Sequence, residues 1–212
     1  MSSNFATSRQ FPLKLHNCIA VFLSVLALRT PTVDGLEPTF ATNHLGHFLL
    51  TNLLLDTLKD SPPSRIINIT SSAHRGTTIN FDDLQAEKKC SGYQAYSQSK
   101  LANVLLTYQL AKRLDGTGVT ANCLHPGVVR TGFGKDVTGL MTILVRIGGR
   151  FMMSPEKSAR AVIYLATSPE LEAVTGKRFS KGKKEKSSTE SYDAASAERL
   201  SKVSAELAKL DV

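Results

Sequence analysis

The sequence predicts an α/β fold in which a parallel sheet is covered by helices. Short apolar runs bounded by turn-forming residues alternate with longer stretches whose apolar residues recur at helical spacing. From residue 32 onward the order is helix, strand, helix, strand, helix, which is typical of a parallel sheet with crossover helices. The 212 residues suit one domain, and 42% hydrophobic with 21% charged residues is a globular composition. These figures argue against disordered, collagen-like and multi-span membrane classes.

Residues 1–31 differ from the rest and form an atypical leader. They contain no glycine and no acidic residue, and an apolar run covers residues 18–28. This run is shorter than the roughly 20 residues that a membrane-spanning helix needs. Three interpretations stay open: a buried strand, a targeting segment such as a secretory apolar region, and a membrane-surface anchor.

A long helix is predicted over Phe40–Leu58. Its apolar residues recur at helical spacing, namely Leu45, Phe48, Leu49, Leu53 and Leu58. Pro62 and Pro63 end it, because proline lacks the N–H that a helix needs. The apolar run Arg65–Thr70 then predicts a strand buried on both faces. The polar connection 71–92 that follows is long enough to carry function.

A second long helix is predicted over Tyr96–Leu114. Its apolar stripe comprises Leu101, Val104, Leu105, Tyr108 and Leu114. Gly116 and Gly118 end this helix. Val119–Leu124 is the next predicted strand, and His125-Pro-Gly127 stops it.

Two further helices complete the predicted elements. Ser154 is the expected N-cap of a helix that has Pro155 at its first position and runs to about Thr167. A basic turn follows, and the last helix is predicted over Ser191–Leu210 with charges on one face.

The net charge of +8 arises partly from one basic cluster, and the chain has no tryptophan. The cluster comprises Lys177, Arg178, Lys181, Lys183, Lys184 and Lys186. We interpret it as a solvated loop and expect no nucleic-acid partner. The three widely spaced cysteines form no CxxC pair, and no HExxH is present, so we expect neither a metal site nor a disulfide framework. We interpret His44, His47 and His74 as surface or packing residues.

Tyr96 and Lys100 are the most informative residues for chemistry. They lie four residues apart, which places both on one face of a helix. A phenol ordinarily has a pKa of about 10, and a nearby ammonium favours the phenolate and brings such a proton into catalytic range. Ser71 follows one predicted strand and His125 ends the next, at the carboxyl edge where ligands bind in open α/β sheets. Asn43 lies early in the preceding helix.

These residues occur within four longer stretches that carry a family resemblance. The stretches are Asn43-His-Leu-Gly-His-Phe-Leu-Leu-Thr51, Ser71-Ser-Ala-His74, Tyr96-Ser-Gln-Ser-Lys-Leu-Ala-Asn103 and His125-Pro-Gly127. In them the chain resembles the short-chain dehydrogenase/reductase family, and within it the retinol dehydrogenase type. The resemblance covers about Thr32 to Leu210. It implies an incomplete Rossmann-type, doubly wound parallel sheet with helices on both faces, with residues 32–212 as the catalytic portion.

The resemblance assigns a catalytic role to four residues. Tyr96 would exchange a proton with the substrate oxygen during hydride transfer. Ser71, which aligns better than Ser72 with the family's serine, would hydrogen-bond that oxygen. Lys100 would hold the nicotinamide ribose hydroxyls and stabilise the phenolate. Asn43 would support a water that relays protons to Lys100.

The implied cofactor is NADP or NAD, with Tyr96 and Lys100 among its contacts. Pro126 and Gly127 would flank the nicotinamide, and Thr131 would lie near its carboxamide. The family's glycine-rich turn at the pyrophosphate has no counterpart, since Gly35 is the first glycine. We therefore expect dinucleotide binding by these 212 residues to be weak.

The implied substrate is a hydrophobic alcohol or carbonyl compound, such as a retinoid or another lipid. In this family the loop 131–153 would line the pocket, and its apolar residues include Phe133, Leu140, Met141, Ile143, Leu144 and Phe151. The alternative is a non-catalytic interaction or decoy subunit that pairs with a full-length relative through the helices 40–58 and 96–114. The expected partners also include a second copy of the chain in a homodimer. The expected location is cytoplasmic, or membrane-associated at the endoplasmic reticulum or mitochondrion through the leader.

Overall fold

The computed structural model describes the backbone of residues 17–21 and all atoms of residues 31–88, 91–127 and 153–210. Within these ranges one five-stranded sheet has the order β1–β2–β3–β4–β5. The strands are β1 (Asn17–Val21), β2 (Ser64–Ile69), β3 (Val119–His125), β4 (Arg178–Ser180) and β5 (Lys183–Lys184). The first three pairings are parallel and the last is antiparallel. The predicted parallel sheet is confirmed, and both predicted strands agree with β2 and β3 to within one residue at each end.

Strand β1 overlaps the start of the apolar run 18–28. It pairs in parallel with β2, with Asn17 opposite Ser64 and Val21 opposite Asn68. Of the three interpretations of this run, the structure therefore supports a strand over Asn17–Val21. The rest of the run lies outside the described residues.

The first helical region is divided into four consecutive pieces. They are α1 (Pro38–Phe40), a π-helical turn (Ala41–Leu45), α2 (Gly46–Leu53) and α3 (Leu55–Lys59). The Glu37 carboxylate caps α1 by accepting hydrogen bonds from the N–H groups of Thr39 (2.9 Å) and Phe40 (2.5 Å). The prediction of one uninterrupted helix over this region is wrong, because a π-helical turn separates α1 from α2 and a turn at Leu54 separates α2 from α3.

Three longer helices follow: α4 (Gly92–Arg113), α5 (Pro155–Thr167) and α6 (Ala194–Leu207). The predicted N-cap of α5 is confirmed, since Ser154 Oγ accepts from the Lys157 N–H. Helix α6 begins later than predicted. Asp193 caps it by accepting from the Ala195 N–H at 3.0 Å, while a 3₁₀ turn occupies Thr189–Tyr192.

Neighbouring residues of β2 point to opposite faces of the sheet, as the strand period requires. Ile66 packs in a buried cluster with residues of α2, α3 and α4. Ile67 and Leu124 pack in another cluster with residues of α5. Helices therefore cover both faces, which confirms the doubly wound arrangement.

The basic segment near residue 180 forms the β4–β5 hairpin. The interpretation of its six cations as a solvated loop is wrong for Arg178, whose side chain is fully buried. The Arg178 guanidinium donates to the Glu185 carboxylate at 2.6 Å, and this bond is the main cause that lowers the pKa of Glu185. Burial of an arginine is tolerated here because its charge is paired.

No helix in the described ranges combines the length and the apolarity that crossing a bilayer requires.

Candidate active site

The carboxyl ends of β2 and β3 lie side by side. Ile69 pairs with Leu124, and the Thr70 N–H donates to the Leu124 carbonyl at 2.8 Å. The two segments that leave these strands, beginning at Ser71 and Pro126, therefore start at the same edge of the sheet. This is the edge at which open α/β sheets bind ligands.

Helix α4 brings Tyr96 and Lys100 to this edge. Lys100 Nζ lies 5.5 Å from the centroid of the Tyr96 ring and donates to the Ile69 carbonyl at 3.5 Å. Only 2% of Lys100 is exposed, whereas Tyr96 is partly exposed. The predicted pair is thus held together at the end of β2.

Burial lowers the pKa of Lys100 from 10.5 to about 8, because the charged form loses its hydration. The ammonium still predominates at neutral pH. Its positive charge declines as the pH rises through 8, so the electrostatic support that it gives to a phenolate declines in the same range.

Ser71 caps the short turn Ser72–His74. Its Oγ accepts a hydrogen bond from the Ala73 N–H at 3.2 Å, which leaves the hydroxyl hydrogen to be donated elsewhere. The turn packs against α4. Ser71 therefore lies on a segment that contacts the helix carrying Tyr96.

Asn43 lies in the π-helical turn and is completely buried. Its Nδ2 donates to Ser99 Oγ at 3.1 Å, and Ser99 Oγ donates to the Tyr96 carbonyl at 2.7 Å. The Asn43 carbonyl accepts from Asn103 Nδ2 at 2.8 Å and from His47 Nδ1. Asn43 Oδ1 is buried and has no hydrogen-bond partner among the described residues. Asn43 is thus linked by hydrogen bonds, through Ser99, to the backbone of Tyr96.

A second buried histidine extends this network to the C-terminal helix. His44 Nδ1 donates to Asn103 Oδ1 at 3.1 Å, and His44 Nε2 accepts from Ser204 Oγ at 2.9 Å. Burial lowers the pKa of His44 to about 4, so its imidazole is neutral at physiological pH. The three histidines expected at the surface or in packing, His44, His47 and His74, are all buried and hydrogen-bonded.

Pro126 and Gly127 follow β3 and are both buried. Gly127 has a φ of +96°, a conformation that favours glycine, and a Cβ there would collide with the Met153 sulfur. Thr131 and most of the loop 131–153 lie outside the described residues, and Met153 is the exception.

Several polar residues of the site were missed by sequence reasoning, although a signal was present. Tyr96, Lys100, Asn103 and Thr107 recur at the spacing of one helix face. Thr107 Oγ1 accepts from Asn68 Nδ2 on β2 at 2.9 Å, so this polar stripe faces the sheet. A polar stripe on an otherwise apolar helix face indicates a hydrogen-bonded site rather than a solvated surface.

A family model and several curated relatives match the chain, and all of them are dehydrogenases. The family model for short chain dehydrogenase matches residues 15–139. Human "Retinol dehydrogenase 14" is 46% identical over 174 residues, which cover 80% of this chain and 51% of that protein. Human "Retinol dehydrogenase 13" is 49% identical over 187 residues, covering 85% of this chain and 56% of that protein. The chain thus spans about half the length of these relatives.

Solved structures show the same fold. An uncharacterized protein from Mycobacterium paratuberculosis superposes with a TM-score of 0.71 and 30% identity, covering 92% of this chain and 68% of the other. NADPH-bound carbonyl reductase from chicken fatty liver gives a TM-score of 0.55 at 21% identity, covering 80% and 65% of the two chains. At that identity the second likeness concerns the fold alone.

Proposed function

Since the chain belongs to the short-chain dehydrogenase family, we propose that it is an NAD(P)-dependent oxidoreductase of alcohol and carbonyl groups. Its proposed substrate is hydrophobic, such as a retinoid or another lipid, in keeping with the names of its relatives. The observation that carries the proposal is the Tyr96–Lys100 pair, held against the Ile69 carbonyl beside the strand end that leads to Ser71.

The residues at this edge fit the nicotinamide half of NADP or NAD. The Lys100 amino group offers N–H donors of the kind that ribose hydroxyls accept. Pro126 and Gly127 would flank the nicotinamide, and Thr131 would approach its carboxamide. When bound, the cofactor supplies or accepts the hydride. The part of the chain that the structure describes contains no glycine-rich turn at this edge for the pyrophosphate.

The proton chemistry belongs to the chain's own side chains. Tyr96 Oη gives a proton to the substrate oxygen in reduction and removes it in oxidation. The Ser71 hydroxyl donates to the same oxygen and stabilises the negative charge that develops on it. The Lys100 ammonium stabilises the phenolate form that Tyr96 adopts during the cycle.

In our proposal the Asn43 side chain binds the water that relays protons to Lys100. Its carbonyl oxygen already accepts two hydrogen bonds, from Asn103 and His47. Its buried Oδ1 is an acceptor without a partner among the described residues. A relay water near Lys100 would therefore donate to Oδ1 rather than to the carbonyl oxygen.

Ser71→Ala is expected to lower kcat about 10²-fold, because the substrate oxygen loses one hydrogen-bond donor. Cofactor affinity should be unchanged, since only the substrate contact is removed. The measurement is NADPH or NADH oxidation with a panel of hydrophobic aldehydes. Ser72→Ala is the matched control and should have a smaller effect. A larger loss with Ser72→Ala than with Ser71→Ala would contradict the assignment.

The 212-residue chain is expected to bind dinucleotides only weakly. Charge-assisted hydrogen bonds to a pyrophosphate contribute about 1.5–3 kcal/mol each. The loss of two or three of them amounts to roughly 3–9 kcal/mol, so a micromolar Kd rises by at least about 100-fold, because each 1.4 kcal/mol is about tenfold. Isothermal titration with NADH and with NADPH measures this. A micromolar Kd for either would show that other residues provide a pyrophosphate site.

A second candidate function is pairing with another subunit. Exposed leucines at the end of α2 and directly after it favour this function. Leu50, Leu53 and Leu54 are 39%, 63% and 36% exposed. Sedimentation of the purified chain, alone and mixed with a full-length relative, should show association that Leu53→Glu weakens by placing a charge in the contact. Lys59→Glu on α3 is the control. A wild-type chain that stays monomeric in both experiments would contradict this function.

A further inference from the structure

His74 is fully buried and joins two segments of backbone. Its Nδ1 lies 2.6 Å from the Ser71 carbonyl oxygen, and its Nε2 lies 3.2 Å from the Ser188 amide nitrogen. A carbonyl can only accept a hydrogen bond and an amide N–H can only donate one. The partners therefore fix the ring as a neutral imidazole with its proton on Nδ1.

The Ser188 end of this bridge is anchored on α4. The neighbouring Ser187 Oγ lies 2.8 Å from Tyr108 Oη and accepts from Ser191 Oγ at 2.6 Å. The rings of Tyr108 and Tyr192 stack with their centroids 5.3 Å apart. Tyr108 lies on the same helix as Tyr96, about three turns further along.

We propose that His74 is a positioning residue for the reaction. Its neutral imidazole bridges the Ser71 carbonyl and the Ser188 amide, and it thereby fixes the Ser71 hydroxyl relative to the helix that carries Tyr96. His74 touches neither substrate nor cofactor and acts through Ser71. The inference rests on the proposed function, because Ser71 must contact the substrate oxygen for its position to matter.

The bridge depends on the protonation state of the imidazole. A second proton on the ring would sit on Nε2 and face the Ser188 N–H. The hydrogen bond from the Ser188 N–H to Nε2 would then be lost. Burial is the main cause that lowers the pKa of His74, and the hydrogen bond to Ser71 opposes it. The titratable and charged groups that interact with the ring are Arg75, His125, Arg178, Glu185 and Glu190. The pKa of His74 therefore lies below its ordinary value, which favours the neutral imidazole that the two hydrogen bonds require.

Two substitutions break the bridge at different ends. His74→Phe keeps the ring shape and removes both polar atoms. Ser188→Pro removes the amide donor, and the φ of −72° at this position is compatible with proline. Ser188→Ala is the matched control, because it loses the same hydroxyl but keeps the N–H. Circular dichroism selects the variants that fold, and Ser188→Pro keeps the test available if His74→Phe does not fold.

We expect kcat to be at least tenfold lower in His74→Phe and in Ser188→Pro than in Ser188→Ala, with the KM for cofactor unchanged. The ratio of wild-type to His74→Phe rates should be greatest near neutral pH and should shrink at acidic pH, where the wild type loses its own bridge. A merely structural role would not produce this pH dependence. Equal kcat values in an active wild type and both bridge-breaking variants would overturn the proposal for His74 alone.

The ¹⁵N chemical shifts of His74 in the labelled full chain provide a readout that does not need activity. We expect a protonated Nδ1 and an unprotonated Nε2 at neutral pH. The opposite tautomer would overturn the bridge itself. A wild type with the expected tautomer but no turnover with any aldehyde would overturn the proposed function, and the catalytic role of the bridge with it.

Discussion

Tyr96→Phe is expected to lower the rate of NAD(P)H-linked turnover by about 10³-fold, within the usual range for the loss of a general acid–base group. The phenylalanine ring retains the packing on α4 but has no proton to exchange with the substrate oxygen. The partly exposed ring makes a small contribution to the core, so the free energy of unfolding should change by less than about 1 kcal/mol. Aldehyde reduction followed by NADPH absorbance, together with urea unfolding, measures both quantities.

Tyr93→Phe is the matched control for this experiment. Tyr93 lies on the same helix and is 62% exposed, so loss of its hydroxyl should leave the rate unchanged. Retained activity in Tyr96→Phe would remove Tyr96 from the mechanism and with it the main support for the proposed function.

Lys100→Met is expected to abolish turnover and to raise the free energy of unfolding. The pKa of Lys100 falls from 10.5 to about 8 on folding, and such a shift costs roughly 3 kcal/mol at about 1.36 kcal/mol per pKa unit. This cost is fully present below about pH 8, where the folded protein must bury a charged ammonium. It decreases as the pH rises and disappears above about pH 10.5, where the side chain is neutral in both states. Methionine fills similar space without a charge.

Urea unfolding at pH 7 should therefore show a free energy of unfolding that is roughly 2–3 kcal/mol higher in Lys100→Met than in the wild type. The difference should shrink as the pH is raised from 8 to 10. Lys112→Met, an exposed position on the same helix, should change stability little at any pH. A destabilised Lys100→Met at pH 7 would contradict the assigned cost of burial.

Strands β2 and β3 and helix α5 were predictable because their signals are local. β2 and β3 are apolar runs between turn formers, and α5 begins with a serine cap followed by proline at its first position. The break in the first helical region was not predictable from apolar spacing. Its π-helical turn contains Asn43 and His44, whose partners lie on α4 and α6, so the deviation accompanies contacts that no local pattern records.

In the candidate site too, local motifs could be found from the sequence and contacts between distant residues could not. The resemblance identified Tyr96, Lys100, Ser71 and Asn43, and the structure places the first two together with a network that reaches Asn43. The supporting residues could not be found in this way, because their partners are distant in sequence. Asn43 and Ser99 are 56 residues apart, and the His74 bridge spans 114 residues. Thr131 stays a prediction, since it lies outside the described residues.

The most direct test of the central claim follows the hydride itself. The purified chain is incubated with a hydrophobic aldehyde and millimolar NADPH or NADH that carries deuterium at the transferable position of C4, and the alcohol is analysed by mass spectrometry. We predict one deuterium on the carbinol carbon with wild-type protein and none above background with Tyr96→Phe. Label in neither sample would contradict an oxidoreductase function for this chain, and equal label in both would contradict the assignment of Tyr96.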